Sequence, residues 1–184
     1  MFDANRHSLE LRLPEWMRLQ PPAIRLILQG RAEAIEAASR YWGAELSRTA
    51  CRATAHGSRA ALWLGPEEYL LIDTASDAAD ASSASPAAEF ARAMGDIPHA
   101  LVDVSHRQVA FEITGPDAAR LLNGACPLDL DIEAFPIDMC TRTVFAKAEI
   151  VLWRRRADAF HLEVWRSFGE YVAGTLVEIA RDVI

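Results

Sequence analysis

A chain of 184 residues with 51% hydrophobic and 24% charged residues has ordinary globular composition and the length for one sizeable core. A formal net charge of −7 argues against a surface that coats nucleic acid, and no apolar run approaches the roughly 20 residues that a membrane-spanning helix needs. Cys51, Cys126 and Cys140 show no C-x-x-C spacing, which argues against a disulfide framework or a zinc site and for buried small residues.

The N-terminus, MFDANRHSLELRLPEW, lacks the continuous apolar core of a secretory leader, so a cytoplasmic location is expected. Residues 1–22 read as an arm rather than an element: Leu9, Leu11 and Leu13 alternate, then Pro14, Pro21 and Pro22 interrupt a run carrying Trp16, Met17 and Leu19. Such a segment packs either on its own domain or, through Trp16 and Met17, on another subunit. Ala23 to Gln29 is strand-like, and Gly30 leads into the helix-spaced RAEAIEAASRYW, closed by Gly43. Cys51 to Ala55, Ala60 to Leu64 and Tyr69 to Asp73 read as a meander of three short strands. The small polar residues of 74–86 predict a mobile loop, after which Pro86 opens a helix with Phe90 and Met94 on one face.

Leu101 to Ser105 and Val109 to Thr114 have the two-residue period of half-buried strands, and the three residues between them predict a tight antiparallel turn. Thr114, Gly115, Pro116 and Asp117 signal a helix start, with Ala118, Leu121, Leu122 and Ala125 as its apolar face and Gly124, Cys126 and Pro127 at its end. An irregular acidic connection, Asp129 to Met139, precedes strands at Cys140 to Phe145, Glu149 to Arg155 and Ala159 to Trp165. An amphipathic helix from Phe168 to Val183 closes the chain, with Phe168, Val172, Leu176, Ile179 and Val183 on one face.

The halves repeat. IRLILQGRAEAI matches VAFEITGPDAAR, placing Gly30 and Gly115 at equivalent points, and each is followed by a helix, three strands and a helix. Trp63 and Trp153 fall near matching places in their hairpins. The expected architecture is an N-terminal arm (1–22) and a single α+β domain (23–184) of two interleaved β-α-β-β-β-α pseudo-repeats, about 23–98 and 99–184.

Motifs for dinucleotides, nucleoside triphosphates and metals are missing. Asp103, Ser105 and His106 do not make a hydrolase triad, because strand period sets His106 apart from the other two. Arg154, Arg155 and Arg156 read as a solvated hairpin end or as a basic run that meets an acidic partner, and Glu149 as facing solvent or a cavity.

VDVSHRQVAFEITGPDAARLL resembles the signature of the folate-binding aminomethyltransferase fold, found in the glycine cleavage T-protein and in dimethylglycine and sarcosine dehydrogenases. With NGACPLDL, FPIDMCTRTVFAKAEIVLWRR and FHLEVWRSFGEYV, the chain is similar to the gamma-subunit family of heterotetrameric sarcosine oxidases, over roughly Leu62 to the C-terminus and most specifically Val102 to Tyr171. The resemblance implies duplicated, interleaved halves of the aminomethyltransferase type. Enzymes of that fold carry a glycine-rich turn and paired aspartates where this chain has Phe145-Ala146-Lys147-Ala148-Glu149, and an asparagine-containing segment where it has Trp165-Arg166-Ser167.

The resemblance therefore implies a chain that kept the fold and lost the chemistry. Its role would be a non-catalytic gamma subunit that supports assembly of a complex oxidatively demethylating sarcosine to glycine, with the one-carbon unit passed to tetrahydrofolate. It implies alpha, beta and delta subunits as partners, with FAD, FMN, NAD and tetrahydrofolate held there and none in this chain. The interface candidates are Trp16, Met17, His106, Arg107, Arg142, Thr143, Arg166, Ser167 and Phe168. The alternative is a stand-alone folate-dependent C1-transfer or folate-binding protein, in which Glu149 and Arg142 line the pocket.

Overall fold

Apolar side chains at every second position build ten strands in the computed structural model, which describes residues 13–75 and 86–184. The first half contains β1 (Met17–Leu19), β2 (Ile24–Gly30), α1 (Ala32–Trp42), β3 (Ala53–His56), β4 (Arg59–Gly65), β5 (Glu68–Asp73) and α2 (Pro86–Met94). The second contains β6 (His99–Asp103), β7 (Gln108–Thr114), α3 (Ala118–Asn123), β8 (Cys140–Phe145), β9 (Ala148–Arg156), β10 (Ala159–Trp165) and α4 (Gly169–Val183). Most of the loop expected at 74–86, and the first part of the arm, lie outside the described residues.

All pairings are antiparallel, and they make two five-stranded sheets with the orders β3-β4-β5-β2-β6 and β1-β7-β10-β9-β8. Strand period then sorts the side chains into three cores. Leu26, Leu28 and Leu71 face α1 and α2, where Ala34, Ala38, Trp42, Phe90 and Met94 meet them. Phe111, Ile113, Leu152, Phe160 and Leu162 face α3 and α4. Leu62, Leu64, Leu70, Ile72, Val151 and Trp153 fill the space between the sheets. The layers thus run helices, sheet, sheet, helices, and the sequence expectation of a mixed fold with strand, helix, meander and helix in each half holds.

Four local expectations are corrected. The arm contains a strand: β1 pairs with β7, Met17 opposite Ile113, and Met17 is buried in the core beneath α3 and α4. Leu13, Trp16 and Leu19 pack half-buried against the same core.

The turn expected between β6 and β7 is instead a crossover between sheets. β6 pairs with β2, β7 pairs with β1 and β10, and Val104 between them enters the inter-sheet core. Alternation identifies a strand without identifying its partner.

Arg154 is buried rather than solvated. A bulge opposite Ala159 and Phe160 ends the regular pairing, and period two places Arg154 with Ile150 and Leu152 on the helix-covered face. Arg155 and Arg156 do lie exposed at the hairpin end.

At the C-terminus, Phe168 belongs to a 3-10 turn, Arg166–Phe168, and is exposed, so the buried face of α4 is Val172, Ala173, Leu176 and Ala180.

The two glycines of the repeat are required for different reasons. A Cβ at Gly30 would meet the Ala34 Cβ at 2.6 Å, so the close approach of α1 forbids one. Gly115 has open space but φ of +112°, and α3 starts at Ala118 rather than beside it. Gly115→Ala should therefore lower stability by about 1–3 kcal/mol. Gly174→Ala, in open space within α4, should raise it by up to about 1 kcal/mol. Urea midpoints test the pair, and shifts of the same sign would contradict the backbone argument.

An inter-sheet ion network and the corner it positions

Two strands carry charge at positions that face the other sheet. On β10, Leu162 and Val164 pack toward the helices, which turns His161 and Glu163 inward; on β2, Leu26 and Leu28 do the same and turn Arg25 inward. The three meet between the sheets. Arg25 Nε donates to Glu163 Oε2 at 2.7 Å, His161 Nε2 lies 2.8 Å from Glu163 Oε1, and Arg25 Nη1 donates to the Ala23 carbonyl at 3.2 Å.

Burial alone pushes the Glu163 carboxyl up, but the hydrogen bond to His161 and the charge of Arg25 outweigh it and hold the group below its ordinary value. Glu163 is therefore a carboxylate, and the cluster is an ion pair rather than a neutral acid.

The same Arg25 anchors the crossover. Its backbone N–H donates to Ser105 Oγ at 2.9 Å, its carbonyl accepts from Val104 N–H at 2.8 Å, and Ser105 N–H donates to Asp103 Oδ1 at 2.9 Å. Ser105 is thus buried and engaged, while His106 is exposed, which leaves no nucleophile–base relay. Cys126 and Cys140 offer none either: both are buried and free, and burial pushes the Cys140 thiol up to about 12.

Past Ser105, the chain turns outward at a corner shared with the end of β10. Arg166 N–H donates to the Arg107 carbonyl at 2.8 Å, and Arg166 Nε donates to the His106 carbonyl at 3.0 Å. The Arg107 guanidinium lies 5.3 Å from the centre of the Trp165 ring, and Phe168 meets Tyr171 edge-on at 6.2 Å.

The structure brings His106, Arg107, Arg166 and Phe168 together, with Ser167 between the last two. It does not bring the other candidates there. Trp16 and Met17 lie at β1, the far edge of the same sheet, with Trp16 half-buried. Arg142 and Thr143 lie on β8, two strands from β10 in the other direction.

Arg142 is paired with Glu68 at 2.7 Å, and Glu149 approaches it only at 3.9 Å, with 59% of the Glu149 side chain exposed. Arg142 and Glu149 thus lie on an exposed strand rim whose cation is already engaged by Glu68. Among the described residues, no group of His, Cys, Asp and Glu is placed to hold a metal ion.

Reading the sequence missed Trp165 and Tyr171 at the corner, and Arg25, His161 and Glu163 beneath it. The missed signal was charge inside otherwise apolar strands: AIRLILQ carries one cation, and FHLEV carries a carboxylate and a histidine.

A family model described as sarcosine oxidase, gamma subunit family, matches residues 31–181. The gamma subunit of sarcosine oxidase from Corynebacterium sp. (strain P-1) is 34% identical over 119 residues, which are 65% of this chain and 55% of that protein. The chain spans about half the length of the curated relatives it matches.

Among solved structures, a chain of heterotetrameric sarcosine oxidase from Corynebacterium sp. U-96, in complex with pyrrole 2-carboxylate, is similar with a TM-score of 0.80 at 24% identity, covering 91% of this chain and 84% of that one. Aminomethyltransferase T of the glycine cleavage system from Bartonella henselae gives 0.64 at 13% identity, covering 88% and 45%. Both likenesses concern the fold. No helix among the described residues is long and apolar enough to cross a membrane.

Proposed function

The chain belongs to the sarcosine oxidase gamma subunit family, and from that membership we propose that it is a binding subunit which supports assembly of a cytoplasmic sarcosine oxidase complex and carries no catalytic group of its own. Its partners are the alpha, beta and delta subunits of that complex, which oxidatively demethylates sarcosine to glycine and passes the one-carbon unit to tetrahydrofolate. The nicotinamide, flavin and folate sites lie in those partners.

The observation that carries the non-catalytic part is the rim at Arg142 and Glu149. Where the aminomethyltransferase resemblance sets a working carboxylate, this chain has an exposed glutamate beside an arginine bound to Glu68. A carboxylate that is largely exposed on a strand rim is not oriented toward a folate amine.

We also read the matching strand orders, β3-β4-β5-β2-β6 and β8-β9-β10-β7-β1, as a duplication whose halves exchange their edge strands. In that reading β6 completes the first sheet and β1 the second, which makes one domain from two pseudo-repeats.

Calorimetry of the isolated chain with tetrahydrofolate tests the division of labour. No heat is expected at about 1 mM ligand, a level that reveals sites as weak as about −4 kcal/mol. Saturable heat, abolished by Glu149→Gln, would overturn it in favour of a folate-dependent C1-transfer protein.

A further inference from the structure

We propose that the corner formed by His106, Arg107, Trp165, Arg166, Phe168 and Tyr171 is the surface by which this chain docks on a carboxylate-bearing face of a partner subunit. The proposal rests on the subunit reading above and adds to it the place of contact and the sign of the partner's charge.

Exposure is the first argument. The large aromatic side chains exposed among the described residues are Tyr41, Trp165, Phe168 and Tyr171, and three of these four fall between positions 165 and 171, at 42%, 37% and 39% exposure. Aromatic residues and arginine are what the centres of protein interfaces concentrate, because they remove much area from water with few torsions to freeze.

Charge is the second. Arg107 and Arg166 have no carboxylate within ion-pair distance among the described residues, which they share with Arg18, Arg31, Arg40, Arg52 and Arg92, and they are set apart by lying beside exposed aromatic side chains. Glu170, one helical turn beyond Arg166, pairs with neither. On a chain of net charge −7, two guanidinium groups beside an aromatic cluster, without a carboxylate partner among the described residues, fit carboxylates of a partner.

Order is the third. The Arg166 contacts to the carbonyls of His106 and Arg107, and the anchoring of the crossover on Arg25, fix the corner before a partner arrives. Less conformational entropy then remains to be lost on docking. The same net charge disfavours an anionic membrane as the occupant.

The test uses the chain co-expressed with the other subunits of its complex. Arg107→Glu with Arg166→Glu, and separately Trp165→Ala with Phe168→Ala, should each weaken association by at least about 10²-fold while the chain stays folded by circular dichroism. Rising salt should weaken the wild-type association more than that of the Arg107→Glu/Arg166→Glu variant. Arg120→Glu with Arg181→Glu, an equal charge change elsewhere, should leave association intact.

Wild-type affinity in both corner variants would overturn the proposal while leaving the subunit reading standing. Loss of self-association with unchanged hetero-assembly would overturn it in favour of a second copy of this chain. A wild-type chain that joins no complex would remove the subunit reading itself, and the docking proposal with it.

Discussion

Replacing Glu163 by Gln should destabilise the fold by about 3–5 kcal/mol, the cost of leaving a buried cation without its counter-charge. The substitution keeps the side-chain volume, so packing is preserved, but Arg25 remains buried with its Nε facing a neutral amide. The loss should be largely reversed in the double variant Arg25→Met/Glu163→Leu, because two apolar groups of similar size need no solvation.

The effect also depends on pH, and its sign follows from the depressed carboxyl. The folded-state value of Glu163 lies below the unfolded one, so its stabilisation is complete above about pH 4.3 and is lost as pH falls through the folded-state value. Urea titrations from neutral to acid pH should show wild type and Glu163→Gln converging in acid. A difference that is absent at neutral pH, or constant across the range, would contradict the network. The same variant should loosen the crossover, since the Arg25 backbone holds both Val104 and Ser105.

Phe160→Ala should cost about 3–5 kcal/mol, at the upper end of core truncations. Phe160 is fully buried at the centre of the sheet under α3 and α4, with the Phe135 ring 6.4 Å away and the Arg154 guanidinium 4.5 Å from its face. That ring is one support of a buried cation, beside the Leu130 carbonyl and the charge of Asp131, while the Arg154 Nε has no partner among the described residues.

The Arg154 backbone in turn accepts from Asp138 N–H at 2.9 Å and donates to the Met139 carbonyl at 3.0 Å. Truncating Phe160 should therefore free the whole Asp129 to Met139 connection, so proteolytic cleavage should appear there before the rest of the domain unfolds. A loss below about 1 kcal/mol without new cleavage would mean that the ring does not carry this connection.

The elements of this fold were legible because period two and period 3.6 are local properties of the chain. β2, β5, β8, β10 and α1 fall within two residues of their expected bounds, and Gly43 closes α1 as read, where the structure gives it the left-handed conformation. Partnership was not legible. Leu101 to Ser105 and Val109 to Thr114 look like the arms of a hairpin, and only the burial of Val104 and the grip of Arg25 on the crossover send them to different sheets.

Charge placement failed for the same reason. Arg154 looks identical to Arg155 and Arg156 until a strand face is assigned, and Arg25 and Glu163 are 138 residues apart, so their pairing exists only after the sheets stack. The functional candidates divided similarly. His106 and Arg107 stand out as the turn between two strand-like runs and Arg166 as part of the segment that departs from the aminomethyltransferase pattern, whereas Tyr171 reads as one more helical residue until the 3-10 turn rotates Phe168 toward it.

The most direct test of the subunit assignment is the native mass of what this chain forms when co-expressed with the other subunits of its complex. The account predicts a single assembly that contains this chain in fixed stoichiometry and shows flavin absorbance contributed by the other subunits. Elution of the chain at its own 20.3 kDa, apart from an intact complex of the remaining subunits, would contradict it.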